Sequence, residues 1–377
     1  MSALYVHIPF CAHACPYCDF SFELLRGKAV TRYLDALEFE AARRADQAKW
    51  SDVSFKSVFL GGGTPTALTP EKLERIFATI HHSFEIADDA EITVEANPET
   101  LTDRKLSLLA EVGVNRISLG VQALTAASLT RLGRHHSVER AVKAVQQIRS
   151  SGIPGLNIDL IFGAPDQTAS DWDDTLTRAV DLGPDHISAY GLTIEEGTPF
   201  GSAWASGDLS VPGEIPQADL YMQTIDRLVS SGYQHYEISN FARPGAACLH
   251  NLAYWTGTDY LGLGPSAHSY TGGHRFANAR SLESYLAHFD RGEDAKVMDE
   301  SLTTEQLIGE SIMLGLRMTE GMDVRTFTTR FGQKAYTDRV PVIDKLRSTG
   351  FLEQSIDRLQ LTRQGMVLAD TICAELM

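Results

Sequence analysis

Positive charge is scarce in this chain. Its 33 Lys and Arg stand against 49 Asp and Glu, a net charge of −16 over 377 residues. That balance argues against the clustered basic footprint that a nucleic acid demands, and gives no reason for adsorption to an anionic membrane. Long apolar runs are missing too. None reaches the roughly 20 residues of a spanning helix, and the opening MSALYVHIPFCAHAC has neither the charged start nor the apolar length of a signal peptide. A cytoplasmic protein is expected. Cysteine is sparse, with five in all. Three of them fall in the short stretch CAHACPYC, so a disulfide framework is a poor explanation in a reducing compartment. The isolated Cys248 and Cys373 read as buried free thiols. No repeat of solenoid period and no low-complexity tract is present.

What is present is a rhythm. From residue 4 to about 232, short apolar runs rich in β-branched residues alternate with longer segments of helical periodicity. The strand candidates are LYVHIPF, SVFLGGG, EITVEANP, RISLGVQ, GLNIDLIFGAP and HISAYGL. Helix starts are readable, as at Thr69-Pro70-Glu71, where a cap residue precedes proline. Six β/α units with near-continuous apolar strands predict an α/β fold, a partial (β/α)6 barrel resembling an opened TIM barrel. Polar residues gather at the strand ends: the Cys loop after the first, Gly61-Gly62-Gly63-Thr64 after the second, Glu95 and Asn97 on the third, Gln122 on the fourth, Asp159 in the fifth and Tyr190 on the sixth. In β/α barrels that end carries the chemistry.

The rhythm breaks after residue 232. Residues 233–300 are dense in aromatics, Gly and His and poor in helical periodicity, whereas 301–377 are again mainly helical with one hairpin, GFLEQSIDRLQLT. The expected domains are therefore a barrel over 1–232, an aromatic and Gly-rich segment over 233–300, and a winged-helix-like module over 301–377. The near balance of acids and bases in that module favours packing or a lid over DNA binding.

Cys11, Cys15 and Cys18 form C-x3-C-x2-C with no second pair. Zinc would want four ligands, and His13 is wedged too tightly between Cys11 and Cys15 to complete a tetrahedron. Three thiolates suit a four-iron cluster with one iron left open. Glu95, Gln122 and Asp159 are costly residues to bury on parallel strands. They read either as internal salt bridges and caps or as groups aimed at a ligand, and their common location favours the ligand. A lone Gly-rich turn is weak evidence, but GGGTPT also removes side chains where backbone must approach a bound molecule.

C-x3-C-x2-C, with Tyr17 before the last Cys, directly after a first β-strand, resembles the signature of the radical S-adenosylmethionine (SAM) superfamily. The resemblance implies a 4Fe-4S cluster held by the three cysteines, with SAM on the open iron. Nearly the whole chain is similar to the oxygen-independent coproporphyrinogen III oxidase family, through YVHIPFC, GGGTPT, EANPE, RISLGVQ, NIDLIFGAP and YLGLGPSAHSY. That similarity assigns SAM contacts to Tyr5, Tyr17, Gly62, Gly63, Thr64, Glu95, Gln122, Arg134, Asp159, Tyr190 and His268. Two departures separate the chain from the oxidases: Phe20 stands where they have a fourth cysteine, and their N-terminal extension is absent here.

Both departures resemble the HemW-type haem chaperones, as does H-N-x-x-Y-W, here His250, Asn251, Tyr254 and Trp255. Membership of that branch implies haem as cargo, respiratory haemoproteins at the membrane as recipients, and a homodimer. The residues alone leave two readings of this motif. His250 is either an axial haem ligand with Tyr254 and Trp255 as flat apolar contacts, or a loop cap beside core aromatics. The rival function is SAM-dependent decarboxylation of coproporphyrinogen III, and a structural zinc protein is a third.

Overall fold

The computed structural model describes residues 2–377. All six apolar runs are strands: β1 (Ala3–Ile8), β2 (Ser54–Gly62), β3 (Glu85–Ala96), β4 (Arg116–Gln122), β5 (Gly155–Phe162) and β6 (His186–Gly191). They pair in parallel and in chain order. Parallel neighbours joined by crossover helices bury both faces, which is why these strands read as apolar runs. The helix after β2 is Pro70–Ser83, with proline in its first turn as expected, although the Thr69 side chain makes no cap hydrogen bond. Thr102, Thr125, Ser137 and Thr168 do cap the helices that follow them.

Residues 233–300 extend this same sheet at both edges. β7 (Gln234–Glu237) and β8 (Asn240–Ala242) add beyond β6, with β8 antiparallel to it. Beyond β1 lie β9 (Tyr260–Leu263), parallel to it, and then antiparallel β10 (His268–Thr271), β11 (His274–Asn278) and β12 (Lys296–Ser301). Among the described residues the sheet has twelve strands. The added strands are short and carry no helical period, so composition could mark the segment as different without revealing what it builds.

The C-terminal residues have a core of their own, including Ile308, Ile312, Leu316, Phe327, Ile343, Leu346 and Leu359. The anticipated hairpin is there, Leu352–Gln354 against Arg358–Leu361, with Met322–Asp323 as the third strand of a small sheet. This lobe is stitched to the edge strand β7: Ile238 N–H donates to the Arg317 carbonyl (3.2 Å) and Thr319 N–H to the Tyr236 carbonyl (3.1 Å).

A buried polar knot anchors the β9–β12 extension to the first barrel helix, Gly27–Ala45. From that helix, Arg44, 2% exposed, donates two hydrogen bonds to Asp294 (2.7 and 2.8 Å) and one to Asn278 (3.2 Å). Glu40 accepts from Gly264 N–H (2.8 Å), Asn278 Nδ2 (2.6 Å) and Tyr285 (2.7 Å). Burial pushes the Glu40 carboxyl upward, and Arg44 with these donors pulls it back. Removing Arg44 would strand the buried acid. Arg44→Met is therefore expected to cost about 3–5 kcal/mol in urea unfolding at pH 8. The deficit should shrink at pH 5, where Glu40 can take up a proton. An equal deficit at both pH values would count against the ion-pair account.

Candidate functional site

The C-terminal ends of β1–β6 surround an open cavity of about 540 Å³. Alternation along the strands decides what faces it. Arg116, Ser118, Gly120 and Gln122 line it from β4, Asn157, Asp159 and Ile161 from β5, and His186, Ser188 and Tyr190 from β6. Of these, Arg116, Ser118, Asn157, His186 and Ser188 escaped the reading of strand ends, yet each lies on the period-2 face shared with Gln122, Asp159 or Tyr190. The deeper ones form a network. Asn157 Nδ2 donates to Ser118 (2.7 Å) and to Asp159 (2.7 Å), and Ser118 donates to Asp159 (2.9 Å). His186 Nδ1 donates to Asn157 Oδ1 (2.7 Å), while its Nε2 accepts from Tyr236 (2.8 Å).

The cysteine loop closes over the mouth. Cys11, Cys15 and Cys18 all line the cavity as free thiols. The loop is held by the glycine turn after β2: Gly63 N–H donates to the Ile8 carbonyl and Thr64 N–H to the Phe10 carbonyl, both at 2.8 Å. A Cβ at Gly63 would lie 2.6 Å from that Phe10 oxygen, so no other residue lets the chains approach this closely. His7, on β1, braces the same loop. Its Nε2 donates to the Ser21 carbonyl (2.8 Å) and its Nδ1 accepts from Tyr5 (3.1 Å), which orients Tyr5 at the cavity wall.

Arg134 reaches in from the loop after the Ala126–Arg131 helix and donates to Cys15 Sγ (3.0 Å), to Tyr17 (3.5 Å) and to the Gly120 carbonyl (3.2 Å). A guanidinium beside three thiols is the counter-charge that thiolates need. Burial pushes the Cys11 thiol up to about 11, with Thr64 at 3.7 Å opposing. Phe20 projects at the rim, 67% exposed, so it is no part of the core.

Of the four carboxylates that line the cavity, Asp19 and Glu195 are exposed, whereas Glu95 and Asp159 face it from β3 and β5 with no ion-pair partner to either among the described residues. Glu95 accepts from Gly62 N–H (3.1 Å), and burial, then Asp159, pushes it up to about 8. Asp159 is likewise raised by burial, against its hydrogen bonds. An acidic pair with no paired cation fits a cationic ligand, and three thiols lining one cavity, with Arg134 on Cys15, are the type of donor set an iron–sulfur cluster takes, although among the described residues they are not drawn together into a preformed metal site. Gln122 holds φ at +67°, a left-handed backbone unusual for a residue with a side chain and found where a site over-determines the chain.

Of the residues suggested as SAM contacts, Tyr5, Tyr17, Gly62, Gly63, Thr64, Glu95, Gln122, Arg134, Asp159 and Tyr190 all line this cavity. His268 does not. It is exposed on β10, separated from β1 by β9. The four residues of H-N-x-x-Y-W divide. They lie on the helix Leu249–Trp255, whose His250, Asn251 and Tyr254 border the cavity, while Trp255 faces a second cavity below it. His250 is 2% exposed, and both its ring nitrogens are engaged, Nδ1 with Ser57 (3.0 Å) and Nε2 with Tyr254 (3.0 Å). It packs on Phe59 at 5.0 Å, and burial pushes it down to about 3. That is the environment of a neutral core histidine, closer to the plainer of the two sequence readings than to an axial ligand. Cys248 and Cys373 are buried free thiols, as expected.

The raised Glu95 carboxyl carries a signed consequence. Its proton is held more tightly folded than unfolded, so its contribution to stability is whole below its ordinary value of 4.5 and is lost as pH rises to about 8. Glu95→Gln should flatten the fall in stability of ligand-free protein between pH 5 and 8 and gain about 1–2 kcal/mol at pH 8. Thermal unfolding across that range checks it; an unchanged slope in the variant would refute the burial account.

The chain matches the Radical SAM superfamily over residues 5–179 and the HemN C-terminal domain over residues 302–368. It is 35% identical over 374 residues to the Heme chaperone HemW of Bacillus subtilis (strain 168), covering 99% of this chain and 98% of that one. To the Heme chaperone HemW of Escherichia coli (strain K12) it is 33% identical over 385 residues, covering 98% and 96%. Coproporphyrinogen III oxidase (HemN) from Escherichia coli, a radical SAM enzyme of known structure, superposes with a TM-score of 0.87 at 28% identity, covering 100% of this chain and 89% of that one. The cysteine loop on β1, the partial barrel and the full-length identity lead to one assignment: the chain belongs to the radical SAM superfamily, in the coproporphyrinogen III oxidase family and its HemW-type haem chaperone branch.

Proposed function

We propose that this chain is a haem chaperone on a radical SAM scaffold, which binds haem as cargo and delivers it from the cytoplasm to respiratory haemoproteins at the membrane. Cys11, Cys15 and Cys18 would hold a 4Fe-4S cluster, and Tyr5, Tyr17, Gly62, Gly63, Thr64, Glu95, Gln122, Arg134, Asp159 and Tyr190 would surround SAM. Such a cluster supplies an electron to SAM bound at its open iron. The protein's own groups bind and orient. Arg134 offsets the negative charge of the thiolates, and the glycine turn presents backbone where side chains would collide. Glu95 and Asp159 favour the cationic sulfonium and ammonium groups, and ligand binding would draw the Glu95 proton off.

The observation that carries the chaperone reading is Phe20. The position where the oxidases have a fourth thiol is an exposed phenyl ring at the cavity rim, in a chain whose full-length relatives are named haem chaperones. The cluster would also support a homodimer.

Protein reconstituted anaerobically with iron and sulfide should titrate with haem to a saturable Soret band and pass that haem to an apo-haemoprotein. Replacing Cys11, Cys15 and Cys18 by serine should abolish iron and sulfide uptake. Supplied with coproporphyrinogen III, SAM and a reductant, the unaltered protein should form no protoporphyrinogen. Stoichiometric protoporphyrinogen with 5′-deoxyadenosine would instead establish the decarboxylase. Zinc without iron or sulfide after reconstitution would overturn the cluster assignment.

A further inference from the structure

Below the partition helix Leu249–Trp255 lies a second cavity of about 640 Å³, between the β9–β12 extension and the C-terminal lobe. Tyr254 is a wall common to both cavities. One side of the lower cavity is aromatic. Tyr254 meets Tyr260 edge-on at 4.7 Å, and Tyr260 stacks over Tyr270 at 6.2 Å with 29° between the rings. The facing side carries Met313 from the helix Thr304–Arg317, Met318 just after it, and Met322 from the short strand Met322–Asp323. Flat aromatic faces opposite adaptable thioethers make an apolar slot suited to a planar macrocycle. Its volume lies within the range of roughly 300–1,000 Å³ typical of small-molecule sites.

The polar rim extends the match. Arg275 is committed to Glu300 (2.6 Å) and Glu310 (2.7 Å). Arg358 gives one donor to the Gly321 carbonyl (3.2 Å) and reaches its acids, Glu320 and Asp323, only at 3.9 Å, which leaves its remaining donors without a close partner. Arg330 is exposed, rests over Phe331, and has no ion-pair partner among the described residues. Two guanidiniums thus keep donors free for carboxylate side chains. Conditions in the upper cavity oppose a dianionic cargo. Glu95 and Asp159 face it unpaired, Arg134 is spent on Cys15 and Gly120, and Arg116 on the Ala246 carbonyl and Glu91.

We infer that haem occupies this lower cavity, its propionates toward Arg330 and Arg358, while SAM and the cluster occupy the upper one. The inference rests on the haem-carrier reading above. On this arrangement His250 is a positioning residue. It fixes the partition helix to β2 through Ser57, and the iron ligand comes from the methionines or tyrosines of the slot, both of which serve as haem ligands.

The test is haem titration of the reconstituted full chain by Soret absorption. Arg330→Glu, alone and combined with Arg358→Gln, should weaken haem affinity by about tenfold or more, with iron content and thermal midpoint unchanged. Saturating SAM should leave haem affinity unaltered, because the two sites are separate. Undiminished affinity in both variants, or competition between haem and SAM, would overturn the lower site. Failure of the unaltered chain to bind haem would overturn the carrier reading itself.

Discussion

The upper site depends on two backbone hydrogen bonds, from Gly63 to the Ile8 carbonyl and from Thr64 to the Phe10 carbonyl. Each is worth only about 1 kcal/mol in net stability, but together they continue the β1–β2 register past the end of the sheet and into the cysteine loop. Cys11 is therefore placed by strand pairing, at the point where the loop that carries Cys15 and Cys18 departs. Gly63 is required by the same contact, since a methyl group there would force the strands apart. His7 extends the brace by joining Ser21 on the loop to Tyr5 on the wall.

Inside the barrel the governing cost is that of polar groups out of water. The network of Ser118, Asn157, Asp159 and His186 settles most of that cost internally. Glu95 keeps a single backbone donor, and both carboxyls stay raised. A protein selected for stability alone would not leave two acids in one cavity with no cation paired to either. The cavity so formed favours positive charge. His250 is the opposite case: both its ring nitrogens have partners.

Much of this was legible beforehand. Six apolar runs became six parallel strands because strands buried on both faces need little but apolar, β-branched length. The polar strand ends met at one cavity because parallel strands all point the same way. Ser118, Asn157, His186 and Ser188 were legible in principle through alternation, but looking only at strand ends hid them. The sheet extension was not legible. Its strands are three to six residues long, too short for a period, and the knot that anchors it joins Arg44 to Asn278 and Asp294, far away in sequence.

By itself the sequence determined what spacing can determine: three thiols within one loop, a glycine turn bare of side chains, a βα order that makes a partial barrel, and Phe20 in place of a thiol. Chain connectivity holds such groups together whatever else folds. Only the tertiary structure decided what depends on distant partners. It consumed both nitrogens of His250 through Ser57 and Tyr254, put His268 outside the cavity by laying β9 between its strand and β1, and opened a second cavity under the motif that also borders the first. Those outcomes were set by register and packing between segments far apart in the chain, as far as Ala3 from Tyr260, which no local pattern of residues encodes.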